Sequence, residues 1–179
     1  SGSNSVLERM NRSYTREQFI ETIKKVRAVR PNIAIGTDII VGFPGETAEE
    51  FDETLSLYRE IEFDISYNAI YSPRSGTAAV KAYEDGVPRE EKERRWQELE
   101  GTMREITLRK NKEYAGRQVS VLVDACEGGV CRGNSAEMKL VNFPHPGDLT
   151  GRIQPVIIEV PKLWILEGKL VTTDDKKEQ

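Results

Sequence analysis

The sequence predicts an α/β portion followed by a small all-β barrel. Two capping-box spacings open amphipathic segments on either side of a β-branched run, the alternation expected of parallel βαβ units. A long charged segment with one apolar stripe follows. Beyond Tyr114 the pattern changes to short alternating runs punctuated by glycine.

Thr15 stands three residues before Gln18, and Phe19, Ile20, Ile23 and Val26 recur at steps of three and four, which predicts a helix of about four turns ending before Pro31. Ile33 to Val41 is dense in β-branched residues. Ile33, Ile35, Thr37, Ile39 and Val41 share one face and Ala34, Gly36 and Ile40 lie on the other, so a strand buried on both faces is expected. Gly42-Phe43-Pro44-Gly45-Glu46 makes a turn. Thr47 and Glu50 then form a second capping box before Phe51, Leu55, Tyr58 and Ile61. Asp64 to Tyr71 reads as the next strand and Ser72 to Thr77 as a loop. From Pro88 to Glu113 a long helix carries Trp96, Leu99, Met103 and Ile106 as a narrow stripe. Five strands are expected after it, near Gln118–Asp124, Gly129–Gly133, Met138–Phe143, Arg152–Val160 and Leu166–Val171. Strands so short need closure to hide their edges. The domain reading is therefore 1–113 and 114–173, with 174–179 a disordered polar tail.

With 179 residues and a net charge of −4, composition forces no polyelectrolyte partner. Basic and acidic residues number 18 and 21 up to Glu113, and 8 and 9 beyond it, so nucleic-acid binding would need a local patch. No run approaches the roughly 20 apolar residues of a membrane span. Cys126 and Cys131 are too few for a disulfide framework and no secretory leader is visible, so a cytoplasmic protein is expected, with the two cysteines a reduced hairpin pair rather than metal ligands. The chain opens at Ser1 without an initiator Met and reads as a piece of something longer.

An α/β sheet places ligands outside the carboxyl ends of its strands, where Gly42 to Glu46 falls. Its glycines let backbone approach a ligand and Phe43 offers a flat surface to a purine; a plain tight turn is the equal alternative. At the next strand end, Arg74 either pairs an anion or is simply solvated. Three segments together say more: Ser1-Gly2-Ser3-Asn4-Ser5-Val6-Leu7-Glu8-Arg9-Met10-Asn11-Arg12-Ser13-Tyr14-Thr15, Asp38-Ile39-Ile40-Val41-Gly42-Phe43-Pro44-Gly45-Glu46-Thr47 and Tyr71-Ser72-Pro73-Arg74-Ser75-Gly76-Thr77. In this order and spacing the chain resembles the radical S-adenosylmethionine methylthiotransferases. Met10 to Thr15, Phe63 to Tyr67 and Ile70 to Arg74 are similar to the branch that modifies tRNA. The all-β part resembles the family's TRAM domain through Gly116-Arg117, Val141-Asn142-Phe143, Asp148-Leu149-Thr150-Gly151 and Leu166 to Val171.

The resemblance implies the carboxyl-terminal portion of a radical SAM partial TIM-like barrel joined to a TRAM barrel. It implies S-adenosylmethionine as cofactor and two 4Fe-4S clusters in the complete enzyme, with no three cysteines here at the spacing that ligates one. It further implies transfer of a methylthio group to C2 of N(6)-isopentenyladenosine beside the anticodon, and an inactive chain when alone. The implied partners are the tRNA anticodon arm, the missing amino-terminal domains and an electron donor. Ser1 and Ser3 would lie near the ribose or sulfonium, Arg12 near the carboxylate, and Gly42, Phe43 and Tyr71 around the adenine. Asp38 either orders that site or bonds a neighbouring strand. For RNA, Arg117, Arg132, Lys139, Arg152, Lys162 and Lys169 are the implied phosphate contacts, with Phe143, His145 and Trp164 for stacking; His145, between two prolines, reads as a loop residue rather than a catalyst, and Trp164 equally as a barrel plug. The alternatives are an autonomous tRNA-binding TRAM module and a methylthiotransferase acting on threonylcarbamoyl-adenosine. Either way, an incomplete barrel would leave the strand at Ile33 to Val41 with an exposed apolar edge.

Overall fold

A computed structural model describes residues 1–171, which divide into two compact units. One comprises Ser1–Pro31 and Ile35–Ile106, the other Asn32–Ala34 and the chain from Thr107 on. The expected tail at 174–179 lies outside the described residues.

The first unit holds α1 (Asn4–Arg9), α2 (Arg16–Val29), β1 (Gly36–Val41), α3 (Ala48–Ile61), β2 (Ile65–Ile70), α4 (Ala78–Ala82) and the greater part of α5 (Arg89–Lys112). Both capping boxes form. Thr15 Oγ1 accepts from the Gln18 amide at 3.3 Å while Gln18 Oε1 accepts from the Thr15 amide at 2.9 Å. Thr47 and Glu50 do the same at 3.2 and 2.9 Å. Each box satisfies amides that the first helical turn leaves without partners. Glu50 also receives Arg9 at 2.7 Å and Ser5 at 2.5 Å, which ties α1 to the start of α3.

β1 and β2 pair in parallel, Gly36 opposite Ile65 through Val41 opposite Ile70. Asp64 locks their start: its carboxylate accepts from the Ile35 amide at 2.9 Å and its own amide donates to the Ile35 carbonyl at 2.8 Å. The core joins Ile39 and Val41 to Phe51, Leu55, Tyr58 and Ile61 of α3, to Phe63, and to Leu99, Met103 and Ile106 of α5. The expected stripe of α5 is thus its buried face, and Trp96 Nε1 donates to the Asn68 carbonyl at 2.9 Å.

The strand itself corrects the sequence reading. It begins at Gly36, not Ile33, and only one face is covered: Ile39 and Val41 are buried, whereas Gly36, Asp38 and Ile40 are exposed. β-Branched density signals extended backbone, but burial on both faces needs a packed layer on each side. Among the described residues β2 is the one strand that pairs with β1.

In the second unit, β3 (Gln118–Glu127), β4 (Val130–Ser135), β5 (Leu140–Pro144), β6 (Ile153–Pro161) and β7 (Leu166–Leu170) close into a barrel in the order β3-β4-β5-β7-β6. Every pairing is antiparallel except β5 with β7. The interior takes alternate residues, among them Val119, Val121, Val123, Val141, Val156, Ile158 and Leu166. At Gly133 a β-carbon would collide with the Leu122 carbonyl oxygen, so this crossing of β3 and β4 demands glycine. Asn111, buried in the last turn of α5, donates to the carbonyls of Lys162 and Leu163, each at 2.9 Å, and pins the β6–β7 connection. The cysteines also depart from expectation. Cys126 and Cys131 are cross-strand partners in the β3–β4 hairpin and are joined by a disulfide, because register sets them directly opposite.

Two outcomes follow for the chain by itself. With the β1 edge open, sedimentation shows species larger than a monomer; a sharp monomeric boundary would overturn this. Burial alone would raise the Glu50 carboxyl, but the hydrogen bonds from Arg9, Ser5 and the Thr47 amide together hold it at about 2, down from 4.5. A depressed carboxyl stabilises the fold above its unfolded value and loses that contribution as pH falls through the folded one. Glu50→Gln therefore flattens the pH dependence of unfolding between 4.5 and about 2, as read by denaturant titration.

Candidate ligand site at the strand ends

Parallel pairing brings the carboxyl ends of β1 and β2 side by side, with the Tyr71 amide donating to the Val41 carbonyl at 2.9 Å. The turn Gly42 to Glu46 and the loop from Tyr71 therefore leave the sheet together, at the place where such sheets bind ligands.

The turn is closed from within. Gly42, at φ 67°, donates its amide to Glu46 Oε2 at 2.6 Å, and the Glu46 amide donates to the Phe43 carbonyl at 2.9 Å. From α5, Arg95 Nη1 donates to the same carboxylate and to the Glu46 carbonyl, both at 2.9 Å. The pair is sealed from water, with side-chain exposures of 5% for Arg95 and 1% for Glu46. Burial pushes the Glu46 carboxyl up, and the Gly42 amide and Arg95 oppose it. Glu46 Oε1 is buried and finds no hydrogen-bond partner among the described residues. One turn earlier on α5, the methylene stem of Lys92 lies over Gly42 in the space a β-carbon would need. Its ammonium reaches both Asp85 oxygens at 2.6 Å and stands 5.2 Å from the centre of the Tyr71 ring.

The residues named from sequence are distributed unevenly. Gly42, Phe43 and Tyr71 come together, but two of them differ in role from expectation. Phe43 is only 5% exposed and packs edge-on against Tyr71 and Tyr83, at ring distances of 5.2 and 6.1 Å, so its face is not offered to a purine. The Gly42 backbone is covered by Lys92 and its amide is taken by Glu46. Tyr71 remains half-exposed. Ser1 and Asp38 line one cleft with Tyr14 and Arg16, and Ser1 Oγ lies 3.3 Å from Thr54 Oγ1. Asp38 is on the uncovered face of β1, in register with Tyr67. Ser3 borders a different cleft beside Asn4 and Glu49, and its buried hydroxyl bonds Ser5 at 3.0 Å. Arg12 is exposed and lines neither.

Sequence reasoning passed over Lys92, Arg95 and Asp85. The signal was present: Lys92 and Arg95 continue the Trp96-Leu99-Met103 stripe backwards at helical spacing, which puts two cations on the buried face.

On the barrel, Arg117, Arg132 and Arg152 are exposed, and the Arg117 guanidinium lies 5.6 Å from the Tyr114 ring centre. Lys139 is not available as drawn from sequence: it is 7% exposed, its ammonium 5.9 Å from the same ring. Phe143, 1% exposed, belongs to the barrel core, because β5 alternates and Phe143 takes an inward position beside Val141. Trp164, 45% exposed, does not plug the barrel. Lys162 pairs with Glu167 at 2.5 Å and Lys169 with Glu159 at 3.4 Å. His145 Nδ1 accepts from the Gly147 amide at 3.1 Å, a turn contact.

Residues 1–58 match the Radical SAM superfamily. The tRNA-2-methylthio-N(6)-dimethylallyladenosine synthase of Bacillus velezensis is 48% identical over 171 residues, 94% of this chain and 33% of the relative. That of Geobacillus thermodenitrificans is 47% identical over 173 residues, 95% of this chain and 33% of the relative; that of Bacillus subtilis is 47% identical over 174 residues, 96% and 34%. The chain belongs to the radical S-adenosylmethionine methylthiotransferases. It spans about a third of the length of the curated relatives it matches. Methylthiotransferases of this family are radical SAM enzymes, and that cofactor class implies both S-adenosylmethionine and iron–sulfur clusters in the complete protein. Among the described residues no group of three His, Cys, Asp or Glu is placed to hold a metal, so the residues present do not fit a cluster. They do fit a polar organic ligand, since the half-exposed Tyr71 stands at the strand ends and Ser1 and Asp38 line a cleft beside β1. No described helix is long and apolar enough to cross a membrane.

Phe43→Ala, read in this light, is a core deletion. It lowers the unfolding free energy in denaturant by about 3 kcal/mol, whereas an exposed platform would lose no more than about 0.5 kcal/mol.

Proposed function

We propose that this chain is the carboxyl-terminal part of a cytoplasmic tRNA methylthiotransferase that modifies C2 of N(6)-isopentenyladenosine beside the anticodon. Residues 1–113 supply the last strands of the radical core and residues 114–173 a TRAM barrel that holds the anticodon arm. The clusters and the contact with an electron donor belong to the preceding domains of the same enzyme.

The observation that carries the reading is the turn at the end of β1, closed on the buried Glu46 carboxylate beside the end of β2, in a chain whose relatives are named for this reaction. S-adenosylmethionine, when bound, supplies the hydrogen-abstracting adenosyl group and the methyl group. The chain's own part is to bind and shield. Tyr71 borders the ligand, Glu46 holds the amide of the turn on which Tyr71 rests, and Asp38 and Ser1, which share one cleft, offer polar groups to its ribose and amino-acid ends. On the barrel, Arg117, Arg132 and Arg152 are the exposed cations suited to phosphate, and Trp164 the exposed ring suited to an unstacked base.

A hybrid enzyme tests this. The matching third of the Bacillus subtilis synthase is replaced by this chain, the hybrid is expressed in cells lacking the native synthase, and tRNA nucleosides are measured by mass spectrometry. The expected result is restored 2-methylthio nucleoside. A hybrid that carries its clusters yet leaves the isopentenylated nucleoside unmodified would refute the proposal.

A further inference from the structure

α5 is a highly charged helix, yet two of its cations, Lys92 and Arg95, are nearly inaccessible, and both are directed at the same strand-end turn. Sequestering a guanidinium and a carboxylate from water is unfavourable unless each finds well-placed partners. Arg95 has them on three sides. One Nη1 bridges the Glu46 carboxylate and the Glu46 carbonyl, Nε donates to Glu91 Oε1 at 2.8 Å, and the guanidinium lies 5.7 Å from the Phe51 ring centre. Glu46 is equally committed, its Oε2 accepting from both Arg95 and the Gly42 amide. The chain of contacts Glu91–Arg95–Glu46–Gly42 therefore runs from the helix surface to the first residue of the turn.

We propose that Arg95 is a positioning residue for S-adenosylmethionine: through Glu46 it holds the turn Gly42 to Glu46, against whose Phe43 the half-exposed Tyr71 rests, and so fixes the ring that borders the adenosyl part of the ligand. The inference rests on the assignment of Tyr71 under Proposed function. Arginine is required here because its planar fork serves Glu46 and Glu91 in two directions at once, which a lysine ammonium on a flexible stem does not reproduce. Without the guanidinium, burial favours the protonated Glu46 carboxyl, a poorer acceptor for the Gly42 amide. The turn then loses its main-chain anchor although the strand beneath it persists.

The experiment uses the hybrid synthase, with S-adenosylmethionine affinity read by equilibrium dialysis and amide exchange of the Gly42–Glu46 segment followed in the same samples. Arg95→Lys keeps the charge, so the fold survives; it weakens S-adenosylmethionine binding about tenfold, within the range of substitutions that act on a site through intervening contacts, and speeds exchange in the turn. tRNA affinity and cluster content stay at the parent's level. The pair Arg95→Met with Glu46→Gln removes both buried charges together and weakens binding at least as much. If Arg95 were merely structural, the melting midpoint would fall while S-adenosylmethionine affinity held, and that result in Arg95→Lys overturns the proposal. A parent hybrid that carries clusters but does not bind S-adenosylmethionine overturns the strand-end assignment itself, and the role of Arg95 with it.

Discussion

The parallel register of β1 and β2 is the constraint on which the first unit depends. Setting Val41 opposite Ile70 makes two strands end level, and level strand ends bring two loops to one place. The same register gives the pair a single covered face, filled from α3 and α5, and leaves Asp38 and Ile40 facing outward. A parallel pair needs a crossover helix, and α3 provides it, held at its start by the Thr47–Glu50 box and at its end by Glu62 in the left-handed conformation.

Upon that frame the turn after β1 is shaped by electrostatics rather than by packing alone. A carboxylate enclosed among Phe43, Gly42 and Arg95 is tolerated only because its partners are complete on one oxygen. The other oxygen has no hydrogen-bond partner among the described residues, a cost that the Arg95 charge beside it offsets. Aromatic edges from Tyr71 and Tyr83 close around Phe43, so the turn has a dry interior and a polar rim.

Features that depend on neighbours in sequence were legible. Thr15 with Gln18 and Thr47 with Glu50 announce helix starts because a capping box is local chemistry, and the alternating Val119-Val121-Val123 announces a strand for the same reason. The closure of five strands into a barrel was legible from their shortness. What failed to show was burial that depends on distant chain. Phe43 and Phe143 read as rings available to a base, and Lys139 as a phosphate contact, because residue type says nothing of what covers it. Ile33 to Ile35 looked like strand because β-branching signals extension, but pairing begins only at Gly36, where β2 has a partner to offer. Arg95 was hidden for the opposite reason: a charge on a charged helix reads as solvated until Glu46 is found forty-nine positions away in the chain. The cysteine pair, five residues apart, was read by compartment, whereas hairpin register decides which sulfurs meet.

The barrel's closing strand is also its last in sequence. β7 inserts between β5 and β6, the one parallel contact of the set, so β5 and β6 each carry an open edge until it arrives. On a ribosome the four earlier strands emerge first and must wait, as a curled but unsealed sheet, for Leu166 to Leu170 to be made. Cooperative folding of this unit is therefore a late event in synthesis, and a nascent chain stalled before Leu166 would present two ready-made pairing sites to the crowded cell around it.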